Sequence, residues 1–171
     1  KLGIDVLFDN NSYEEMFSAL KKAENDESAI SKVLTGEKAP TFHLQEYIYQ
    51  NGQLNTFQNE AINNILNANH LSIIHGPPGT GKTTTIVQAI RALIEQKHEK
   101  ILVVAPSNTA VDLLTEKLST AGLNVIRLGN PARVSEELQA QTIEGKTKNH
   151  PSFKDIKTWK KQANEYKNMA H

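Results

Sequence analysis

The amino-acid sequence predicts an α/β fold, a parallel sheet with flanking helices, together with helical segments at both ends of the chain. Three short apolar runs alternate with helical patterns in the order strand, helix, strand, helix, strand. This order is typical of parallel strands joined by right-handed crossovers. A glycine-rich turn follows the first run directly and opens a helix. The runs are LSIIH at 71–75, ILVVA at 101–105 and NVIRL at 124–128.

The helices ahead of the first run are marked by caps and by apolar residues at helical spacing. Ser12 followed by Glu15 is a capping-box pattern and predicts a helix over roughly 12–25. A short helix is expected next, ending before Gly36, and Asn55 can cap a longer one. The apolar faces of the three helices are Tyr13, Met16, Phe17 and Leu20; Ile30, Val33 and Leu34; and Phe57, Ala61, Ile62, Ile65 and Leu66.

Further helices follow the first two runs and close the chain. The two crossover helices carry Ile86, Val87, Ile90 and Leu93, and Val111, Leu114 and Leu118. After Pro131 the strand pattern stops, and apolar residues three or four apart predict a final helix. Its narrow apolar stripe suits packing against one partner helix. The stripe comprises Phe153, Ile156, Trp159, Ala163, Tyr166 and Ala170.

Composition narrows the class of protein. Hydrophobic residues make up 38% of the chain, which is enough for a core. The chain has no cysteine, so disulfides and thiolate metal sites are excluded. No apolar run is long enough to span a membrane and no secretory leader opens the chain. We therefore expect an intracellular protein, cytoplasmic or nuclear, without a membrane partner.

The formal net charge is zero, but the charges are distributed unevenly. Residues 1–50 carry an excess of acids, whereas residues 146–171 hold seven Lys against two acidic residues. The basic segment has two interpretations, a solvated helix face or a contact to nucleic acid. The first is the more common case, and the charge pattern alone does not decide.

The segment GPPGTGKT at Gly76–Thr83 matches G-x-x-x-x-G-K-[ST] at every fixed position, and it has the strand before and the helix after that the motif requires. Glycines let the backbone turn and approach a phosphate, so that successive amides and the helix N-terminus can surround the anion. Lys82 would reach the β- and γ-phosphates, and the Thr83 hydroxyl would coordinate Mg²⁺. The loop therefore predicts binding of a nucleoside triphosphate with magnesium.

Two further segments are candidates for ligand contacts. Gln58 lies 18 residues before Gly76, and its amide carries a donor and an acceptor that suit the edge of adenine. Taken alone, it is more simply a surface glutamine. The segment APSNTAVD at 105–112 follows the second strand, where ligand sites of such sheets lie. Its short polar groups suit a phosphate backbone, but capping of a helix by Ser107 or Asn108 explains them equally well.

The segments LNTFQ, GPPGTGKTTT, APSNTAVD and VIRLG, in this order and at these intervals, resemble the front of a superfamily 1 helicase. The resemblance is to the group that contains the nonsense-mediated-decay helicase and the immunoglobulin mu-binding protein 2 helicase. It extends to the flanks, where VLFDNNSYEEMFSAL is similar to the stalk helix of these proteins. HPSFKDIKTWKKQANEYKNMA is similar to their helical insertion, so nearly the whole chain is covered.

The resemblance implies a stalk helix and linker at 1–50, the first part of a RecA-like ATP-binding domain at 51–133 and a helical insertion at 134–171. It implies ATP and Mg²⁺ as cofactors, single-stranded DNA or RNA as partner and 5′ to 3′ movement, and we favour a monomer for the intact protein. Lys82 would be catalytic and Thr83 the metal ligand. The implied ATP-binding residues are Gln58, Gly76, Pro77, Pro78, Gly79, Thr80, Gly81, Lys82, Thr83 and Thr84. The implied nucleic-acid-binding residues are Pro106, Ser107, Asn108 and Thr109.

Two parts of such a motor cannot be found in the sequence. Hydrolysis of ATP needs a carboxylate pair, expected where an apolar strand ends in Asp-Glu, and neither ILVVAP nor NVIRLG ends in acids. No arginine of a second motor domain can be assigned, because Arg91, Arg127 and Arg133 all lie in the first. We therefore expect a piece of an enzyme that binds ATP without turning it over. Missing strands would leave apolar edges exposed and make the piece prone to associate.

The leading functional prediction is an ATP-dependent helicase or translocase on single strands. An AAA+ remodelling ATPase is an alternative, since the same loop would serve it, although it does not require the APSNTAVD segment. A non-catalytic, nucleotide-dependent binding module is a second alternative, and it would lack the carboxylate pair altogether. DNA and RNA cannot be distinguished, because no contact to the 2′-hydroxyl can be located.

Overall fold

The computed structural model describes residues 11–44, 46–130 and 133–169. The chain divides into two compact units, one up to His75 and one from Gly76 onward. The helices of the described residues are α1 (Asn11–Ala23), α2 (Ala29–Leu34), α3 (Thr56–Asn67), α4 (Lys82–Lys97), α5 (Asn108–Thr120), a 3-10 helix (Glu136–Gln141), α6 (Ile143–Asn149) and α7 (Phe153–Met169). All helices predicted from the sequence are present.

Helix α1 confirms the helix predicted over 12–25, and α2 confirms the short helix after it. Because α1 already includes Asn11, the capping box of Ser12 with Glu15 is not confirmed; the Ser12 side chain and residues 1–10 lie outside the described residues. The predicted apolar face of α1 is exposed, with Phe17 at 71%. The amphipathic pattern thus predicts the helix correctly, but the described residues do not cover its apolar side.

One face of α3 carries three asparagines whose side-chain amides bond to the backbone of residues 47–51. Asn63 Oδ1 accepts from the Tyr49 N–H at 2.8 Å, and Asn63 Nδ2 donates to the Tyr49 carbonyl at 3.0 Å. Asn59 makes the same pair of bonds to Asn51, at 2.8 and 3.1 Å. We call this set the asparagine ladder, and its rungs are Asn59–Asn51, Asn63–Tyr49 and Asn67–Tyr47.

The asparagine ladder works because two repeats match. Four residues of α-helix rise about 6.0 Å, and two residues of extended chain rise about 6.6 Å. Side chains four apart on α3 therefore meet every second residue of a segment that runs in the opposite direction. The helix thus satisfies backbone groups of residues 47–51 as a neighbouring strand would.

The apolar side of α3 forms the core of the first unit. Ile62 and Leu66 are fully buried, as predicted, and Val33 of α2 is also buried. Asn55 caps α3, which confirms that prediction. Phe57 was predicted to lie on the same face but is 79% exposed, because it belongs to the first turn, ahead of the covered part of the helix.

The core of the second unit lies where α4 meets α5. Val87, Ile90 and Leu118 are buried together, as predicted for the two crossover helices. Ile86, predicted for the same face of α4, is 41% exposed. Partly buried residues from the last part of α4 and from the segments that follow each helix pack against this cluster. They are Ile94, Ile101, Val103, Ala121, Leu123 and Val125.

The predicted parallel sheet is not confirmed. In the described part of the chain, residues 71–75, 101–105 and 124–128 form no strand, although Arg127 makes an isolated parallel bridge to Thr142. Ile101 and Val103 face the core, whereas Leu102 and Val104 are 76% and 82% exposed. This alternation has the period of two that extended chain gives. Parallel strands are buried on both faces, and here one face alone is covered.

The described chain after residue 133 is mostly helical, as predicted, and its last described element is α7. Most of the stripe predicted to pack on a partner helix is exposed, with Trp159 at 64% and Tyr166 at 71%, whereas Phe153 is half-buried. Its last member, Ala170, lies outside the described residues. Among the helices that the structure describes, none is both long and apolar enough to cross a membrane.

Candidate nucleotide and nucleic-acid sites

The glycine-rich loop leads directly into α4. Gly79 and Gly81 both have φ of 81°, a left-handed conformation that favours glycine, which explains two glycines of the motif. Gly81 precedes the first residue of α4, and no side chain caps this helix. The N-terminal N–H groups of α4 therefore form an uncapped positive end of the helix, as an anion site requires.

The start of the loop is closely packed on itself. A Cβ atom on Gly76 would lie 2.7 Å from the Thr80 hydroxyl oxygen, so a larger residue does not fit there without a shift. The same hydroxyl donates to the Pro77 carbonyl at 2.9 Å. The geometry thus explains why three positions of the motif are glycine. Gly76 is required by a close approach, and Gly79 and Gly81 by their positive φ.

Lys82 bonds to its own loop. Its Nζ donates to the carbonyls of Gly76 and Pro77, at 2.6 and 2.8 Å. These bonds hold the ammonium group over the loop that would receive a phosphate. A bound phosphate would replace the two carbonyls as the acceptor, and it would bond more strongly because it is charged.

The three threonines after Lys82 differ in their surroundings. Thr85 is buried, and its hydroxyl donates to the Gly81 carbonyl at 3.1 Å, so it fixes the first turn of α4. Thr84 is exposed. Thr83 is half-buried in the first turn, and its hydroxyl makes no hydrogen bond to the described residues. A free hydroxyl beside the loop fits Mg²⁺, which takes few protein ligands and keeps water and phosphate as the others.

Gln58 lies in the first turn of α3 and takes part in its cap. Its backbone N–H donates to Asn55 Oδ1 at 2.9 Å, and its Oε1 accepts from the Asn55 N–H at 3.0 Å. The Gln58 side chain therefore helps to cap α3, a role that neither interpretation of the sequence predicted. The cap fixes where the amide lies, at the start of the helix.

The four residues predicted to touch nucleic acid lie together at the start of α5. Ser107 is its N-cap, and its hydroxyl accepts from the Ala110 N–H at 3.2 Å. Capping, the simpler explanation, is therefore real for Ser107. All four residues are exposed, which leaves the capping residue and its neighbours accessible. They are Pro106, Ser107, Asn108 and Thr109.

A buried arginine contacts this turn, and it is the residue that the sequence interpretation missed. The Arg127 side chain is 4% exposed, and its Nε lies 2.9 Å from Asp112 Oδ1. Its Nη2 donates to Asn108 Oδ1 at 3.0 Å. A signal for it exists in the sequence, since every second residue of 123–127 faces inward and Arg127 continues the series begun by Leu123 and Val125.

Comparison with known proteins identifies the family. A sequence model described as AAA domain matches residues 53–171, which is most of the chain. This chain belongs to the AAA domain family. The membership establishes a P-loop nucleotide-binding fold and agrees with the glycine-rich loop at Gly76–Thr83.

Several proteins similar to this chain are named as helicases or as DNA-binding proteins. "DNA-binding protein SMUBP-2" of Mesocricetus auratus is 38% identical over 147 residues, which cover 84% of this chain and 15% of the relative. "DNA polymerase alpha-associated DNA helicase A" of Saccharomyces cerevisiae is 40% identical over 156 residues, covering 85% of this chain and 23% of the relative. "ATP-dependent helicase NAM7" of the same yeast is 36% identical over 149 residues, covering 81% and 15%.

These similarities confirm the resemblance to superfamily 1 helicases of the nonsense-mediated-decay and mu-binding group. The chain spans 15% to 23% of the lengths of the three relatives described above. The AAA domain chain therefore corresponds to one part of those proteins, the front of the first motor domain.

Proposed function

We propose that the protein is an ATP-dependent helicase or translocase that acts on single-stranded nucleic acid, with this chain as its nucleotide-binding part. The observation that carries the proposal is the loop at Gly76–Thr83, with its left-handed glycines, its lysine on the loop carbonyls and its uncapped helix start. The names of the relatives favour a helicase over other ATP-binding proteins, since several are ATP-dependent or DNA helicases.

Each residue of the loop has a separate task in this proposal. The N–H groups of the loop and of the start of α4 hold the phosphates, and Lys82 moves from the Gly76 and Pro77 carbonyls to the β- and γ-phosphates. Thr83 is the proposed ligand of Mg²⁺ from this chain, and the ion would supply charge neutralisation between the phosphates when bound. Gln58 contacts adenine through its amide, as the resemblance implies.

The start of α5 is the proposed contact to the strand. Its exposed N–H groups and short polar side chains suit a phosphate backbone and carry no sequence preference. In the full-length protein, we expect residues 101–105 and 124–128 to pair as parallel strands, which would place the start of α5 at the carboxyl end of a strand. The exposed lysines of α7 would brace a neighbouring element or follow the strand.

The first test is Lys82→Ala. Loss of a charge-assisted contact should weaken nucleotide binding at least about tenfold, and turnover by the full-length protein should stop. Binding is measured with a fluorescent ATP analogue, and Lys100→Ala, an exposed lysine after the same helix, is the matched control. Undiminished turnover by Lys82→Ala would refute the assignment of the loop.

The second test measures ATP hydrolysis by the full-length protein with and without single-stranded DNA or RNA. It is done at low salt, because binding to a phosphate backbone weakens steeply as salt rises. Strong stimulation is expected, and comparing the two polymers identifies the substrate. Hydrolysis that ignores both polymers would favour the AAA+ remodelling alternative, with residues 105–112 serving as a helix cap alone.

A further inference from the structure

Arg127 joins three separate parts of the second unit. Its guanidinium group bonds to Asp112 and Asn108, which lie four residues apart on one side of α5. A third bond runs from Nη1 to the Leu128 carbonyl. The backbone N–H of Arg127 donates to the Gln141 carbonyl at 2.8 Å, at the end of the 3-10 helix.

The residue after this turn is a glycine because the guanidinium group occupies the space beside it. A Cβ atom on Gly129 would lie 2.8 Å from Arg127 Nη1, and the φ of Gly129 is 138°, where side chains are disfavoured. The segment Arg127-Leu128-Gly129 is therefore built around the arginine. The burial of Arg127 also rules out a direct bond from its side chain to a strand on the surface.

The arginine fixes which end of the Asn108 amide is available. A guanidinium group donates hydrogen bonds and cannot accept them, so Asn108 must present its oxygen to Arg127. The Nδ2 group of Asn108 then remains, and it is a donor. Asn108 is exposed at the start of α5, where a donor suits phosphate oxygens and a carbonyl oxygen would repel them.

We propose that Arg127 is a positioning residue for binding of the nucleic-acid backbone, acting through the Asn108 amide. Asp112 neutralises the buried guanidinium group and holds it against α5. The inference rests on the proposed contact between residues 106–109 and the strand. It assigns to VIRLG a role in strand binding.

The experiment measures the affinity of the full-length protein for a labelled single-stranded oligonucleotide at several salt concentrations, and its affinity for an ATP analogue without the strand. The variants are Asn108→Ser, Arg127→Lys and the double variant. Lysine keeps the charge beside Asp112 but lacks the fork that reaches both partners. Arg91→Lys is the matched control, because Arg91 pairs with Glu95 on the surface of α4.

Arg127→Lys should weaken strand affinity threefold to about tenfold, the effect of one lost hydrogen bond, and leave nucleotide affinity unchanged. Because a neutral amide makes the contact, the slope of affinity against salt should stay the same. A cation that contacts phosphate directly would lower that slope by about 0.7. The double variant should be no weaker than Asn108→Ser, since both changes remove the same contact.

Three results would overturn the proposal: an equal loss of strand and nucleotide affinity, a reduced salt slope, or additive effects in the double variant. If Arg127→Lys does not fold, Asn108→Asp decides, because it keeps the acceptor for Arg127 but places a carboxylate at the strand. Wild-type affinity in that variant would also overturn it. These results leave the helicase proposal intact as long as the wild-type protein shows strand-stimulated hydrolysis.

Discussion

Two segments of this chain are held against helices by opposite means. Residues 47–51 lie on α3, and the asparagine ladder satisfies backbone groups of alternate residues. Residues 101–105 lie on α4 and α5 through Ile101 and Val103, with apolar packing in place of such bonds. The difference shows that a helix can replace a neighbouring strand only when it carries amides at the right spacing. The second segment retains its need for strand partners.

The hydrogen bonds of the asparagine ladder are tested most directly at its middle pair, Asn63–Tyr49. Asn63→Asp keeps the shape but replaces the donor to Tyr49 with a carboxylate facing a carbonyl oxygen. We expect the free energy of unfolding to fall by about 2 kcal/mol, because a partly buried backbone carbonyl loses its donor and faces a carboxylate instead. Denaturant unfolding followed by tyrosine fluorescence measures it. Asn64→Asp, on an exposed neighbour, is the matched control, and equal effects of the two changes would contradict the ladder.

A substitution in residues 101–105 is expected to lower the free energy of unfolding by less. Val103→Ala removes two methyl groups that pack against Val87, Ile90 and Leu118, and we expect a loss of about 1 kcal/mol because Val103 is only partly buried. Thermal unfolding monitored by circular dichroism measures it, and Val104→Ala is the control one residue away. A larger loss in the control would mean that the segment faces the other way.

The smallest effect on stability is expected at the exposed face. Val104→Lys should change the unfolding free energy of this chain by less than about 0.5 kcal/mol, because the Val104 side chain is 82% exposed. It should also reduce concentration-dependent association, since a charge on an open apolar face opposes pairing. Sedimentation at several concentrations tests the second effect. Unchanged association would show that the exposed face around Val104 does not mediate association.

The helices could be predicted from the sequence because their signals are local. Caps such as Asn55 and apolar residues such as Ile62 and Leu66 lie within one turn or two of each other. The sheet could not be confirmed in the same way, since a strand exists only through pairing with another segment, and an apolar run does not specify its partner.

The candidate site was predictable in part for a related reason. The loop at Gly76–Thr83 is a contiguous motif, so its residues could be named directly from the sequence. The contact between Arg127 and Asn108 joins residues nineteen apart, and it depends on the inward direction of a single side chain. The asparagine ladder could not be predicted for a similar reason. Asparagine has a low helix propensity, and its stabilising role in α3 depends on hydrogen bonds to residues 47–51.

The asparagine ladder also gives a chemical change of asparagine a structural consequence. Asparagine is thermally labile, and loss of ammonia from its side chain leaves a carboxylate with no donor. At Asn59, Asn63 or Asn67 that single event would set an anion against a backbone carbonyl in the core of the first unit. The same change at the exposed Asn64 would leave every bond of the ladder in place.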